Sequence, residues 1–275
     1  MVDTRADYSA DAVAAARAVM LELVRLLGEY RDEIVIVGGW VPELLLPLAR
    51  PGHIGSTDVD LALDHRRITE AGYQMIREHL LRHGYVAGTQ LFIFFREVVV
   101  AGRPIPVKVD FLAGEYGGVG RSHRTQPVQD VAARKARGCD LAFELNTQVK
   151  IEGTLPEGGL DAAEVRVAGI VPFLVMKGMA LHDRLKPKDA WDIYFCVTNY
   201  PGGLDALVRE FRPHLTHGLV AEGLRKIREK FLSPIHIGPK SVADFEEITD
   251  REARDLRQRD AFERVDHLLG QLGVL

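Results

Sequence analysis

Cysteine is nearly absent, with only Cys139 and Cys196 in 275 residues. Two such residues cannot make a disulfide framework, and they offer no zinc-ligand spacing. Long apolar runs are missing too: the longest, such as Leu91–Phe95 and Val98–Ala101, fall far short of the roughly 20 residues a membrane-spanning helix needs. The opening Met-Val-Asp-Thr-Arg-Ala-Asp has no basic stretch leading into an apolar core, so no secretory signal is expected and the cytosol is the expected location. Nor does one sign of charge prevail. The 35 basic and 39 acidic residues leave a net charge of −4, which excludes a surface that is a nucleic-acid footprint throughout but not a local basic patch. Aromatic residues are few, and Phe92, Phe94 and Phe95 are expected in the core rather than as a base-stacking platform. No low-complexity tract and no internal repeat is present.

What remains is an ordinary globular composition, 47% apolar and 27% charged, arranged in two styles. In the first half, helical and strand periods alternate. Asp11 to Tyr30 reads as an amphipathic helix with Val13, Ala16, Val19, Met20, Leu23, Leu26 and Leu27 on one face. Residues 33–37 form a β-branched run that ends in Gly38-Gly39, and a short helix is expected over 40–48. Residues 57–63 alternate with the strand period, 68–83 read as a helix, and 91–100 and 106–112 read as a hairpin. The stretch 114–139 is expected as Gly-rich, basic loop with one short helix, and strands are expected at 144–152 and 164–167. From Ile170 the pattern is helical: 172–185, 188–197, 204–211, 217–231 and 250–269. The expectation is an α/β (α+β) fold with a mixed sheet flanked by helices over 1–169, followed by a helical domain over 170–275.

Within the first half, Asp58 and Asp60 sit at i and i+2 of a strand and therefore share one face. Paired carboxylates repel one another and cost desolvation, so a fold rarely keeps them on a buried strand without a compensating cation. Hard oxygen donors of this kind suit Mg²⁺. Asp110, between Val109 and Phe111 on another expected strand, would be a third, completing a two-metal clamp. Gly38-Gly39 after a strand lets backbone N–H groups approach a phosphate. Singly, each feature has an ordinary explanation: Asp-x-Asp as a solvated strand edge, Gly-Gly as a plain turn, Asp110 as a strand-end cap. Their order is far more specific than any one of them.

In that order, Val37-Gly-Gly-Trp40, Ser56-Thr-Asp-Val-Asp-Leu61 and Lys108-Val-Asp-Phe111 resemble the nucleotidyltransferase superfamily typified by DNA polymerase β. Residues 173–184, with Lys177 and Arg184, and Lys186-Pro-Lys-Asp-Ala-Trp-Asp-Ile-Tyr194 are similar to the AbiEii group, the toxin side of type IV toxin–antitoxin systems. The resemblance covers about Glu33 to Val197. It implies transfer of a nucleoside monophosphate from an NTP to an acceptor hydroxyl, with Asp58, Asp60 and Asp110 binding two Mg²⁺ ions and Gly38, Gly39, Ser56, Lys177 and Asp189 contacting the nucleotide. It also implies an antitoxin partner and RNA as a plausible acceptor. The superfamily turn is commonly Gly-Ser; here Gly39 takes the second position, and Ser56 could supply the missing hydroxyl.

Some alternatives stay open on the residues alone. The chain could be a small-molecule transferase of the aminoglycoside type, or a catalytically silent binder of the same fold. Lys177 rises from an apolar stripe and either snorkels to the surface or meets the phosphates, in which case its removal should weaken NTP binding with little loss of stability. Asp189 and Asp192 share a helix face, where they either complement the helix dipole or place Asp189 in the site. Arg121, Arg124, Arg134, Lys135 and Arg137, and again Arg184, Lys186 and Lys188, are the basic clusters an RNA acceptor would use. The histidines, His53 included, are expected to be scattered in loops or on the surface.

Overall fold

The computed structural model describes residues 4–64, 67, 68, 70–90, 92–113, 125, 126 and 133–274. They form two compact units, one from Ser9–Leu44 and Gly55–Gly169, the other from the segment ending at Tyr8, Leu45–Ile54 and Ile170–Leu275.

The first unit is α/β. Helix α1 (Ala10–Leu26) starts where the Ser9 hydroxyl accepts the Ala12 N–H at 3.2 Å, an N-cap that meets one of the helix's orphan donors. Its buried stripe of Ala15, Ala16, Val19, Met20 and Leu23 packs against the sheet. Strand β1 (Ile34–Val37) is buried at every position, as its unbroken β-branched run requires of a strand covered on both faces. A 3₁₀ turn over Gly38–Trp40 leads into the short helix α2 (Val41–Leu45), and β2 (Asp58–Leu63) returns antiparallel to β1. Helix α3 (Glu70–Arg82) precedes β3 (Val86–Ala87), β4 (Ile93–Val100) and β5 (Arg103–Ala113). Short strands β6 (Thr125–Gln126) and β7 (Ala133–Lys135), helix α4 (Asp140–Glu144), and the hairpin of β8 (Asn146–Thr154) and β9 (Leu160–Ala168) complete the unit. The sheet runs β3-β4-β5-β2-β1-β9-β8, with β7 on β5 and β6 on β7. It is mixed: β2 lies parallel to β5 and antiparallel to β1, and β1 is parallel to β9.

Two strands reach further than their sequence suggests. The stretch Ala101 to Pro104 reads as the hairpin turn, with the strand starting at Pro106, yet β5 begins at Arg103, directly after a two-residue turn at Ala101-Gly102. The prolines are tolerated because β2 pairs only with Lys108–Leu112, so among the described residues the first part of β5 is bonded on the β4 side alone. Strand β9 likewise begins at Leu160 rather than Glu164, as the hairpin pairs through to Thr154. Most of the stretch 114–139, expected as loop with one short helix, lies outside the described residues; those described within it include the strands β6 and β7, and α4 follows it.

The second unit is helical: α5 (Ile170–Arg184), α6 (Pro187–Asn199), α7 (Gly203–Phe211), α8 (Gly218–Lys230), α9 (Ile237–Phe245) and α10 (Arg251–Gln271). Helix α6 is buried from Lys188 to Val197 and packs against α5, α7, α9 and α10. Helix α9 escapes a reading of the sequence because Gly238-Pro239 looks like a break. Pro239 stands in the first turn, where its missing N–H costs nothing. A Cβ on Gly238 would fall 2.5 Å from the Lys230 carbonyl and 2.6 Å from the Phe231 ring, so close packing requires glycine there. Among the described residues, no helix is long and apolar enough to cross a membrane.

Candidate active site

The three aspartates stand on neighbouring strands. Asp60 is the register partner of Asp110 in the parallel β2–β5 ladder, and Asp58 is the partner of Lys108. Register partners project from the same face of a sheet, as do residues two apart, so Asp58, Asp60, Lys108 and Asp110 form one polar patch. Between them, Val59, Val109 and Phe111 turn the other way and are fully buried.

Each carboxylate has a distinct surrounding. Asp58 Oδ1 accepts the Ser56 hydroxyl at 2.6 Å, and the Asp58 carbonyl accepts the Trp40 indole N–H at 2.8 Å, which ties the turn after β1 to the start of β2. Asp60 lies against Gly38. A Cβ there would come within 1.9 Å of Asp60 Oδ2, and Gly38 has φ +71°, so both the conformation and the contact require glycine. Asp110 is nearly inaccessible; its Oδ2 accepts the Lys108 ammonium, and its buried Oδ1 has no hydrogen-bond partner among the described residues. The buried Cys139 thiol is close enough to this face that the Asp60 charge, after burial and Asp140, helps push its pKa up and keep it protonated.

These residues suit a divalent cation. The donors are hard oxygens, one buried carboxylate oxygen lacks a donor, and an ammonium already serves as cation to the other. Among the described residues, Asp58, Asp60 and Asp110 included, no three carboxylate, imidazole or thiol groups are gathered into a set that could hold an ion.

Lys177 and Asp189 are brought together, but with each other and within the helical unit. The Lys177 ammonium is buried between Asp189 Oδ1 at 2.8 Å and Asp192 Oδ2 at 2.7 Å. Arg184 grips Asp189 at 2.7 and 2.8 Å. Asp192 Oδ1 receives the Lys188 ammonium at 2.8 Å and His53 Nε2 at 2.9 Å. Burial opposes the charge on Lys177, yet the two carboxylates hold its pKa above the ordinary lysine value. Burial and the neighbouring Lys177 charge lower that of Lys188. Against burial, Lys177 and Lys188 pull Asp192 well below the usual carboxylate range. The imidazole of His53, packed against Trp191 and Phe195, falls to about 4 through burial and the nearby lysine charges.

Residues 54–272 match the family model described as "Nucleotidyl transferase AbiEii toxin, Type IV TA system". The chain belongs to the AbiEii family. As a member it is a nucleotidyltransferase. No curated protein and no solved structure gives a significant match. The matched span begins after the Gly38-Gly39 turn and continues through the helices beyond Val197, where the sequence resembles nothing recognisable by eye.

Three features of this AbiEii chain correct the sequence reading. Lys188 is not part of a solvated basic patch; it is buried in the ion cluster. His53 does lie in a loop, but its side chain is fully enclosed as a partner of Asp192. Ser56 is buried and spends its hydroxyl on Asp58. Of the other basic candidates, Arg121 and Arg124 lie outside the described residues. Lys108 went unassigned, although the alternation that flags Asp110 places it on the same face. Nothing local could have revealed His53, because its partner stands on a distant helix.

Proposed function

We propose that the AbiEii chain transfers a nucleoside monophosphate from an NTP to an RNA hydroxyl at the Asp58–Asp60–Asp110 face, releasing pyrophosphate. The reading is carried by one observation: Asp60 and Asp110 are register partners on parallel strands, with Asp58 on the same face and Gly38 pressed against Asp60. Asp58, Asp60 and Asp110 would hold two Mg²⁺ ions, which when bound neutralise the triphosphate and acidify the acceptor hydroxyl. The Gly38 and Gly39 amides would meet the phosphates, and Ser56, whose hydroxyl donates to Asp58, serves the nucleotide by holding that carboxylate in orientation. Asp110, with a buried oxygen that lacks a donor among the described residues, takes up the proton of the attacking hydroxyl.

Lys177 and Asp189 belong to the proposal as nucleotide contacts, as the family resemblance implies. What supports them is residual charge: Lys177, Lys188 and Arg184 against Asp189 and Asp192 leave one positive charge, and Arg184 is the exposed end of the cluster. The family description also supports an antitoxin partner for this chain.

RNA is favoured as acceptor by the backbone placement of Arg134 and Lys135. They pair with Leu112 and Ala113, just past Asp110 on β5. The test is incorporation of labelled nucleotide into total cellular RNA with Mg²⁺ and each of the four NTPs, with Asp58→Ala as blank. Label should enter RNA, fall steeply with added salt, and drop when Arg134 and Lys135 are reversed to Glu while NTP binding persists. No label above the blank with any NTP removes RNA and leaves a small-molecule or protein acceptor.

A further inference from the structure

The acidic face carries a cation of its own. Lys108 lies opposite Asp58 in the β2–β5 ladder and two residues before Asp110, so its side chain rises among the carboxylates. Its ammonium donates to Asp110 Oδ2. The two partners differ in what else is open to them: the Lys108 side chain is 35% exposed, whereas that of Asp110 is 4% exposed. The lysine has water within reach, and the carboxylate has little besides the lysine. A buried carboxylate without a counter-charge is costly, so the ammonium stands in Asp110's environment where any other cation would compete for the same oxygen.

We propose that Lys108 is a resident counter-ion of the transfer site, which holds the Asp110 oxygen against a divalent cation until nucleotide phosphates offer its ammonium a new partner. The inference rests on the reading of this face as a cation-dependent transfer site. It makes binding of ion and nucleotide mutually reinforcing, since each removes a competitor of the other, and such coupling is reciprocal by linkage. Without nucleotide, the ion must displace an ammonium whose charged partner among the described residues is Asp110. With nucleotide present, the ammonium passes to a phosphate oxygen, a charge-assisted contact of the kind lysine makes. Lys108 is then a positioning residue for the ion and a binding residue for the phosphates.

A simple structural brace would behave differently. If Lys108 only held Asp110 in place, its removal would weaken ion binding along with the fold. If it competes, its removal strengthens ion binding, and the ion repairs the fold by taking the vacated oxygen. The experiment uses the full-length chain without nucleotide and measures free Mn²⁺ by its electron paramagnetic resonance signal. Lys108→Met should bind Mn²⁺ about tenfold more tightly than the parent, the order of effect expected when a charge next to an ion is removed at a partly exposed site. Mn²⁺ should raise the melting temperature of Lys108→Met by more than that of the parent. The KM for the NTP should rise in the same variant, because the phosphates lose a partner. Lys108→Gln, which keeps a donor for Asp110 without the charge, should also bind Mn²⁺ more tightly, and it serves if Lys108→Met does not fold. Lys150→Met, remote in the sheet and exposed, should change neither quantity. Mn²⁺ binding that is equal or weaker in both Lys108 variants overturns the inference and leaves the acidic-face reading intact. Failure of every variant and of the parent to bind Mn²⁺ removes both.

Discussion

The same residue types, lysine and aspartate, make two clusters in this chain, and the clusters are built on opposite principles. On the sheet, among the described residues, three carboxylates share a face with one lysine, whose side chain is partly exposed. In the helical unit, two carboxylates meet two lysines, an arginine and a neutral histidine, and nearly every charge has a named partner at hydrogen-bond distance. An under-compensated cluster gains when an outside cation arrives. A compensated one loses whenever any member is removed, because the partner left behind is a buried, unpaired charge. The first stands to gain from a ligand; the second braces its own unit and leaves only its Arg184 end exposed to one.

The sharpest way to break that contrast is to change one residue in each cluster without changing its size much. Asp110→Asn in the sheet site should lower nucleotide transfer by a factor of about 10²–10³, the scale lost when a group that stabilises the transition state is removed. Its denaturation midpoint should stay near the parent's, because Asp110 is under-compensated to begin with. A variant that retains transfer would end the assignment of Asp110. In the other cluster, Lys177→Ala should destabilise the helical unit by about 3–5 kcal/mol, the usual cost of stranding one side of a buried ion pair. Position on an apolar stripe suggests a lysine free to meet a ligand and dispensable to the fold; its pairing with Asp189 and Asp192 reverses that expectation. Urea denaturation followed by helical circular dichroism reads the effect. An unchanged midpoint together with weakened NTP binding would show that Lys177 serves the nucleotide and not the fold.

The two clusters also differ in how far the sequence discloses them. The sheet site follows from a local rule: the strand period in residues 57–63 and 106–112 fixes which side chains share a face, which sets Asp58 with Asp60 and turns Asp110 away from Val109 and Phe111. What the rule leaves open is strand order, since β2 pairs with β5 across the intervening α3 and a hairpin. The helical cluster is mostly hidden. Helical periodicity puts Lys177 on a face with Leu174 and Leu181, but whether that face meets solvent or a carboxylate depends on α6, and the pairing of His53 with Asp192 joins positions far apart in the chain. Charge compensation is a tertiary property, so a sequence shows which ionisable groups exist and not which of them are already satisfied. Helix α9 was missed for a related reason, because Gly238 has meaning only beside Phe231.

The smallest expected effect separates the clusters by pH and concerns His53. Its imidazole is enclosed, donates from Nε2 to Asp192, and has its pKa lowered from 6.5 to about 4, first by burial and then by the Lys188 and Lys177 charges, with Asp192 only partly opposing them. The folded state therefore binds fewer protons than the unfolded state between those two values, and stability must rise with pH across that window. The contribution is fully present above about pH 6.5 and is lost as pH falls toward 4, at most about 3 kcal/mol for a shift of this size. Asp189 and Asp192, both depressed, act with the same sign but at pH values below their ordinary 3.8, outside the window. His53→Gln keeps an N–H donor for Asp192 and removes the titration. Urea midpoints of parent and variant, measured from pH 7.5 to 4.5, should converge as pH falls, with the parent showing the steeper loss. Parallel curves would mean that the imidazole is already solvated or paired differently, and that the helical cluster is less closed than its geometry implies. The sheet-site variant Asp110→Asn provides the comparison: its stability should follow the parent's through the same window, because His53 is unchanged in it.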